Sequence, residues 1–277
     1  MSSDDCQLMG GVDTHAHVFR RDLPLKADRR YSPDFDALPE DYLAHLDSAG
    51  LQYGVLVQPS FLGTDNSYML DVLLAHADRL RGVAVVDVAC PDDELERLAL
   101  AGVVGIRLNL VGVPVPDLGG TLWQSLLIRV ARRGWHVEIH RRAEDLPLII
   151  PHILKAGCNV VVDHFGRPDS TAGAEDPGFF YLLSLATEGR VWVKLSALYR
   201  TWKPADASAK SHSIKLAELL LQSYGSQRLL WGSDWPHTEH RHLTEYAQSR
   251  QCLDTWVPQL EDRKRILIDS PIELFKF

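Results

Sequence analysis

The chemistry legible in this chain sits in a few histidines and aspartates placed at the ends of short apolar runs. The first run reads Gly11-Val-Asp-Thr-His-Ala-His17. Side chains alternate along an extended chain, so Asp13, His15 and His17 are expected on one face. His164 follows Val162-Asp163, Asp234 follows Trp231-Gly232-Ser233, and His140 closes the run His136-Val-Glu-Ile-His140. Imidazoles and carboxylates are the usual general acids and bases, and the usual ligands of divalent metals. One histidine pair alone reads best as a hydrogen-bonded structural pair. Three or four imidazoles at the ends of different runs, with a carboxylate beside them, read best as a site. Arg107, Arg167 and Arg200 also end or follow such runs. A guanidinium aimed into a pocket needs an anion, and it grips carboxylates bidentately. The three imply an anionic substrate; the competing reading pairs each with a protein carboxylate such as Asp163 or Asp169.

These groups need strands to hold them, and eight β-branched runs are available. They are Gly11–His15, Tyr53–Gln58, Gly82–Asp87, Val103–Asn109, His136–His140, Asn159–Asp163, Val191–Ser196 and Arg228–Gly232. Helical stretches alternate with them: Leu38–Asp47, Asp65–Leu80, Asp92–Ala101, Leu122–Arg133, Ala143–Ala156, Phe179–Glu188, Ser213–Tyr224 and Leu243–Val257. Strand–helix alternation predicts a parallel sheet. Eight units in 277 residues predict an α/β chain folded as a single (β/α)8 barrel over residues 1–277, its active site at the C-terminal ends of the strands. No GxGxxG follows the first strand and no GxxxxGK[ST] occurs, which disfavours an open nucleotide-binding sheet. Arg20–Pro39 forms a long first loop that would overhang the mouth. His45, His76, His152, His212, His240 and His242 fall on helices or loops and read as surface or capping groups, while His136 begins its strand away from the mouth.

Composition narrows the class. Lys and Arg total 29 against 37 Asp and Glu, a net charge of −8, which argues against nucleic-acid and anionic-membrane partners. No apolar run approaches the ~18 residues of a membrane span. The start, Met1-Ser-Ser-Asp-Asp, lacks the basic and apolar regions of a signal peptide. Cys6, Cys90, Cys158 and Cys252 form no CxxC pair and fit reduced thiols, so a cytoplasmic location is expected.

Six segments in order resemble the amidohydrolase superfamily, in the branch typified by the 2-pyrone-4,6-dicarboxylate lactonases. They are Gly11–Phe19, Val57–Asn66, Gly105–Asn109, Val162–Asp169, Trp192–Ser196 and Leu230–His237, and the tail Asp269–Phe277 is similar as well. The resemblance implies a distorted barrel that hydrolyses a carboxylated lactone, with Asp234 handling the water and His15, His17 and His164 around the carbonyl. It further implies that Tyr31, Ser60, Thr64, Arg107, Arg167 and Arg200 hold the substrate. His140 stands close to a family tyrosine, and Val113 stands where the family has a second arginine. Much of the superfamily places one or two metals on these same positions. An enol leaving group makes a Lewis acid less necessary, and no carboxylate or lysine ends strand four to bridge a second ion. A metal-free site is therefore expected, with Zn or Mn on His15, His17, His164 and Asp234 as the alternative. The rival activities are a sugar-acid or muconolactone-type lactonase and a metal-dependent decarboxylase of aromatic acids; a non-catalytic binding barrel would be expected to have lost Asp234 or a histidine, and none is lost.

Overall fold

Each β-branched run becomes a strand, and each amphipathic stretch folds back over it as a helix. The computed structural model describes residues 8–202 and 208–277; Cys6 and the leading residues 1–7 lie outside the described residues. The strands are β1 (Gly11–Ala16), β2 (Leu51–Val57), β3 (Leu80–Ala84), β4 (Val103–Asn109), β5 (His136–His140), β6 (Asn159–Val162), β7 (Val191–Leu195) and β8 (Leu229–Trp231). They pair in parallel in sequence order from first to eighth. No ladder joins β8 to β1. Single groups close that seam: Asp234 N–H donates to His15 O at 2.8 Å, His17 N–H to Trp235 O at 2.8 Å, and Thr14 Oγ1 to Trp231 O at 2.7 Å. The result is a nearly closed, distorted (β/α)8 barrel.

The helices that cover it are α1 (Pro39–Ser48), α2 (Ser67–Ala75), α3 (Asp92–Leu100), α4 (Thr121–Arg132), α5 (Leu146–Lys155), α6 (Pro177–Ser184), α7 (Ala209–Tyr224) and α8 (Tyr246–Trp256). Local chemistry sets their starts. Pro39 opens α1, and α3 begins with Asp92, Asp93 and Glu94, whose charges suit the positive end of a helix. The helix expected to run to Leu80 stops at Ala75, because Leu80 is needed as the first residue of β3, opposite Gly54. The tail adds elements that periodicity did not mark: α9 (Leu260–Lys264), a π-helical turn over Arg265–Asp269, and α10 (Ser270–Phe275).

Inward-facing side chains form three levels. At the bottom Val12, Val55, Val83, Val104, Val161, Trp192 and Leu230 pack together, plugged by Leu274 and Phe275 from α10. His136 stacks edge-on against Phe275, 5.1 Å between centroids, far from the mouth. Above them Arg107, Glu138, Asp163, Lys194 and His15 form a buried charged level. Above that, at the strand ends, lies the site. Among the described residues no helix is long and apolar enough to cross a membrane.

Candidate active site

On β5, β7 and β8 the inward face is read off by strict alternation. His136, Glu138 and His140 follow one another on β5, Trp192, Lys194 and then Ser196 at the end of β7, and Leu230 and then Gly232 at the end of β8. β1 breaks the rule. A register shift between Asp13 and Ala16 turns Asp13 away from His15. Asp13 accepts hydrogen bonds from Ser233 Oγ at 2.6 Å, Ser233 N at 2.9 Å and Tyr246 Oη of α8 at 3.1 Å. The expectation that Asp13 shares a face with the two histidines is therefore corrected: Asp13 clamps the β8–β1 seam, while His15 and His17 face inward. Gly232 makes room for this closure, since a Cβ there would stand 2.6 Å from His15 Cβ.

Turns after β6, β7 and β8 aim the rest. His164, Phe165, Arg167, Ala197, Asp234 and His237 all have positive φ, a conformation costly for side-chain-bearing residues and concentrated where function needs it. His15 contacts His17 and His164 with ring centroids 5.0 Å away in each case, and His140 stands 4.8 Å from His164. Asp234 Oδ1 lies 3.4 Å from His17 Nε2 and 3.6 Å from His15 Nε2, with no hydrogen-bond partner. Its other oxygen is saturated: it accepts from Tyr199 Oη at 2.6 Å and from Arg200 Nε at 2.8 Å. Burial acts to raise the Asp234 pKa, but the Arg200 charge holds it well below the usual value. Burial lowers the pKa of His15, His17, His140 and His164, the last to about 3, so the imidazoles are neutral.

The arginines divide into two sorts. Arg107 is committed to Asp163 at 2.9 Å and lies 3.3 Å from Glu138; Arg200 is committed to Asp234. Among the described residues Arg167 meets only His140 Nε2 at 3.2 Å and the Arg200 carbonyl at 3.2 Å, and burial lowers its pKa to about 10. Arg30, half-buried in the first loop, has no hydrogen bond or ion pair among the described residues; burial lowers its pKa, against the charge of Glu239 nearby, and Arg200 and Arg107 lower it further. Arg30, Arg107 and Arg200 share a narrow cleft of about 30 Å³ with His17, Tyr31, Ser60 and His140. Thr64 is exposed and does not line it; its carbonyl accepts from the Asn66 amide instead. Val113 is 44% exposed, in the loop after β4, where its carbonyl accepts from Arg141. A roomier hollow of about 690 Å³ between α7 and α8 is lined, among the described residues, by no carboxylate or imidazole.

Four site residues escaped the reading of strand ends: Glu138, Lys194, Tyr199 and Arg30. Glu138 and Lys194 carried a signal, a charge in the middle of an apolar strand run. Arg30 and Tyr199 lie in irregular segments and carried none.

Proton positions decide what the site can hold. His17 Nδ1 stands 2.7 Å from Val57 O, and a carbonyl only accepts, so Nδ1 carries the proton and Nε2 offers a lone pair. His15 is the reverse. Lys194 Nζ donates to its Nδ1 at 2.9 Å, which leaves the proton on the site-facing Nε2. The ligand atoms of His15, His164 and Asp234 lie within 4.8 Å of one another, close enough for a divalent ion. As protonated, that trio does not fit one, because His15 has no lone pair to give.

Known proteins agree with this architecture. The amidohydrolase family profile matches residues 12–277. A curated 2-pyrone-4,6-dicarboxylate hydrolase of Comamonas testosteroni is 33% identical, over 96% of this chain and 90% of that one. A solved structure from Pseudomonas putida, provisionally assigned as a 2-pyrone-4,6-dicarboxylic acid hydrolase, is 41% identical with a TM-score of 0.91, covering 97% and 98% of the two chains. A similarly assigned structure from Acinetobacter baumannii, with citric acid bound, is 38% identical with a TM-score of 0.93, covering 97% and 100%.

Proposed function

The chain belongs to the amidohydrolase family, and from that premise we propose that it hydrolyses a lactone bearing carboxylates, 2-pyrone-4,6-dicarboxylate or a close analogue. The observation that carries the reading is one unpartnered carboxylate oxygen, Asp234 Oδ1, facing neutral imidazoles beneath a cleft lined by Arg30, Arg107 and Arg200, with Glu239 the one carboxylate among its described lining residues. Relatives named for the dicarboxylate, and one holding citric acid, support a polyanionic ligand.

The residues divide the reaction as follows. A water donates its two protons to Asp234 Oδ1 and His17 Nε2, acceptors 3.4 Å apart that leave its oxygen lone pair free. The water oxygen attacks the lactone carbonyl carbon as its proton passes to Asp234. The developing oxyanion accepts from His15 Nε2–H, a donor fixed in advance of the reaction. The ring C–O bond then breaks, and the proton on Asp234 passes to the departing enolate oxygen, which returns the carboxylate. Arg30 and Arg167 hold the substrate carboxylates, with Arg107, Arg200, Tyr31, Ser60 and His140 shaping the remaining wall. No step is routed through a metal. The small-molecule substrate is the only partner this scheme requires.

The test is isotopic. Turnover of 2-pyrone-4,6-dicarboxylate in ¹⁸O-water is expected to place one solvent oxygen in the ring-opened product without release of carbon dioxide. Carbon dioxide release without solvent oxygen would establish the decarboxylase reading instead.

A further inference from the structure

Lys194, Glu138 and Asp163, beneath the site, have no part in the scheme above, yet they are costly to bury together. Lys194, Glu138, Asp163 and His15 are each wholly buried, and removing one partner from a buried ion pair is strongly destabilising. Lys194 Nζ donates to Glu138 Oε2 at 2.5 Å, lies 3.5 Å from Asp163 Oδ1, and donates to His15 Nδ1 at 2.9 Å. Two carboxylates thus hold the ammonium against one ring nitrogen.

We propose that Lys194 is a positioning residue that fixes His15 as its Nε2–H tautomer, which makes His15 the oxyanion donor and leaves His17 as the acceptor that aligns water. This rests on the hydrolytic reading. An ammonium has only donors, so the nitrogen it meets must accept, and a neutral imidazole accepts at one nitrogen only. Three contacts oppose the assignment and all are longer. Asp163 Oδ1 and Glu138 Oε1 lie 3.3 and 3.4 Å from Nδ1, but neither has a hydrogen-bond partner, so neither takes a proton from it. Arg107 Nη2 gives one of its two protons to Asp163 at 2.9 Å, and its other faces both His15 Nε2 and His140 Nδ1 at 3.4 Å, a longer contact than the 2.9 Å from Lys194 to Nδ1. The nearest acceptor on the Nε2 side is Asp234 Oδ1. The two histidines at the end of β1 then carry opposite tautomers: His17 is locked by a backbone carbonyl, His15 by a side-chain ammonium.

The direct test is long-range ¹H–¹⁵N correlation spectroscopy on the wild-type protein labelled at histidine, assigned by loss of the His15 signal in His15→Gln. His15 is expected to show a protonated Nε2 and a pyridine-type Nδ1; a protonated Nδ1 overturns the proposal whatever the substrate proves to be. Lys194→Met tests the consequence. Without the ammonium, Nδ1 should give its proton to Asp163 or Glu138, the tautomer should invert, and kcat should fall about 100-fold or more, the scale of losing one oxyanion donor, with KM changed little. Lys194→Met/Glu138→Gln removes the pair together and protects the fold from a stranded carboxylate. A folded variant that keeps the Nε2–H signal, or keeps wild-type kcat on a hydrolysed lactone, contradicts the role. Absence of lactone turnover in the wild type would count against the functional reading, and the tautomer measurement would still stand.

Discussion

At the scale of single residues, Asp234 and the arginines make separable claims. Asp234 is tied on one oxygen by Tyr199 and Arg200 and left free on the other. Asp234→Asn keeps most of those contacts but cannot take a proton, so kcat should fall by at least ~100-fold while the melting temperature stays close to wild type. Near-normal turnover would remove Asp234 from the mechanism. Arg200 acts on this carboxylate as well as lining the cleft. Arg200→Gln relieves the charge that depresses Asp234, so the acid limb of kcat/KM should move to higher pH; an unmoved limb would separate the two residues. Arg167 has no such internal partner, so Arg167→Ala should act mainly through KM, and only for carboxylated substrates. The sequence made Asp234, His15, His17 and His164 visible because they end strands. It hid which arginines are free, because that depends on carboxylates of other strands: Arg107 is satisfied by Asp163, fifty-six positions away.

At the scale of elements, the strands were legible because β-branched runs alternate with amphipathic helices. Two elements were less so. The first loop has no periodicity, and its role follows from where it lands: it carries Arg30 and Tyr31 into the cleft, with Arg30 against Gly112, where an added Cβ would meet Arg30 Cδ at 3.0 Å. Arg30→Met keeps that packing and removes the charge. Its KM for a dicarboxylated lactone should rise by roughly 10-fold or more, from a contact of about 1.5–3 kcal/mol, with little change for a neutral one. Equal changes for both would make the loop a structural cover. The tail was hidden because its helices are short and its apolar residues point into the barrel. Phe275 is fully buried there against His136. Phe275→Ala should cost about 3–5 kcal/mol, read as a lower midpoint in chemical denaturation. The broken alternation in β1 could not be foreseen, since a bulge leaves no mark in residue types; it moves Asp13 from the site to the seam.

At the scale of the whole molecule, a barrel filled with neutral imidazoles predicts how stability follows pH. His15, His17, His136, His140, His164 and His237 all have lowered pKa values from burial, reaching about 3 for His136 and His164 and about 4 for His237. Below pH 6.5 the unfolded chain binds protons at these positions that the folded chain refuses, so their contribution is present above 6.5 and lost as pH falls toward 3. Asp163 and Asp234, both lowered, add a further loss below 3.8. Glu138 and Asp13, both raised chiefly by burial, oppose them with contributions that fade as pH rises through their raised folded-state values. Six groups outweigh two, so the melting temperature should decline steadily from pH 6.5 to 4; a flat profile would mean the histidines are charged in the folded state. The same crowding of guanidinium over neutral rings is the basis of the functional claim. The measurement that tests it most directly compares kcat/KM for 2-pyrone-4,6-dicarboxylate with that for the same ring as its uncharged diester. Two charge-assisted contacts of about 1.5–3 kcal/mol each predict a preference of roughly 100-fold or more for the dianion. Equal rates on the two, or hydrolysis of the diester alone, would contradict the account.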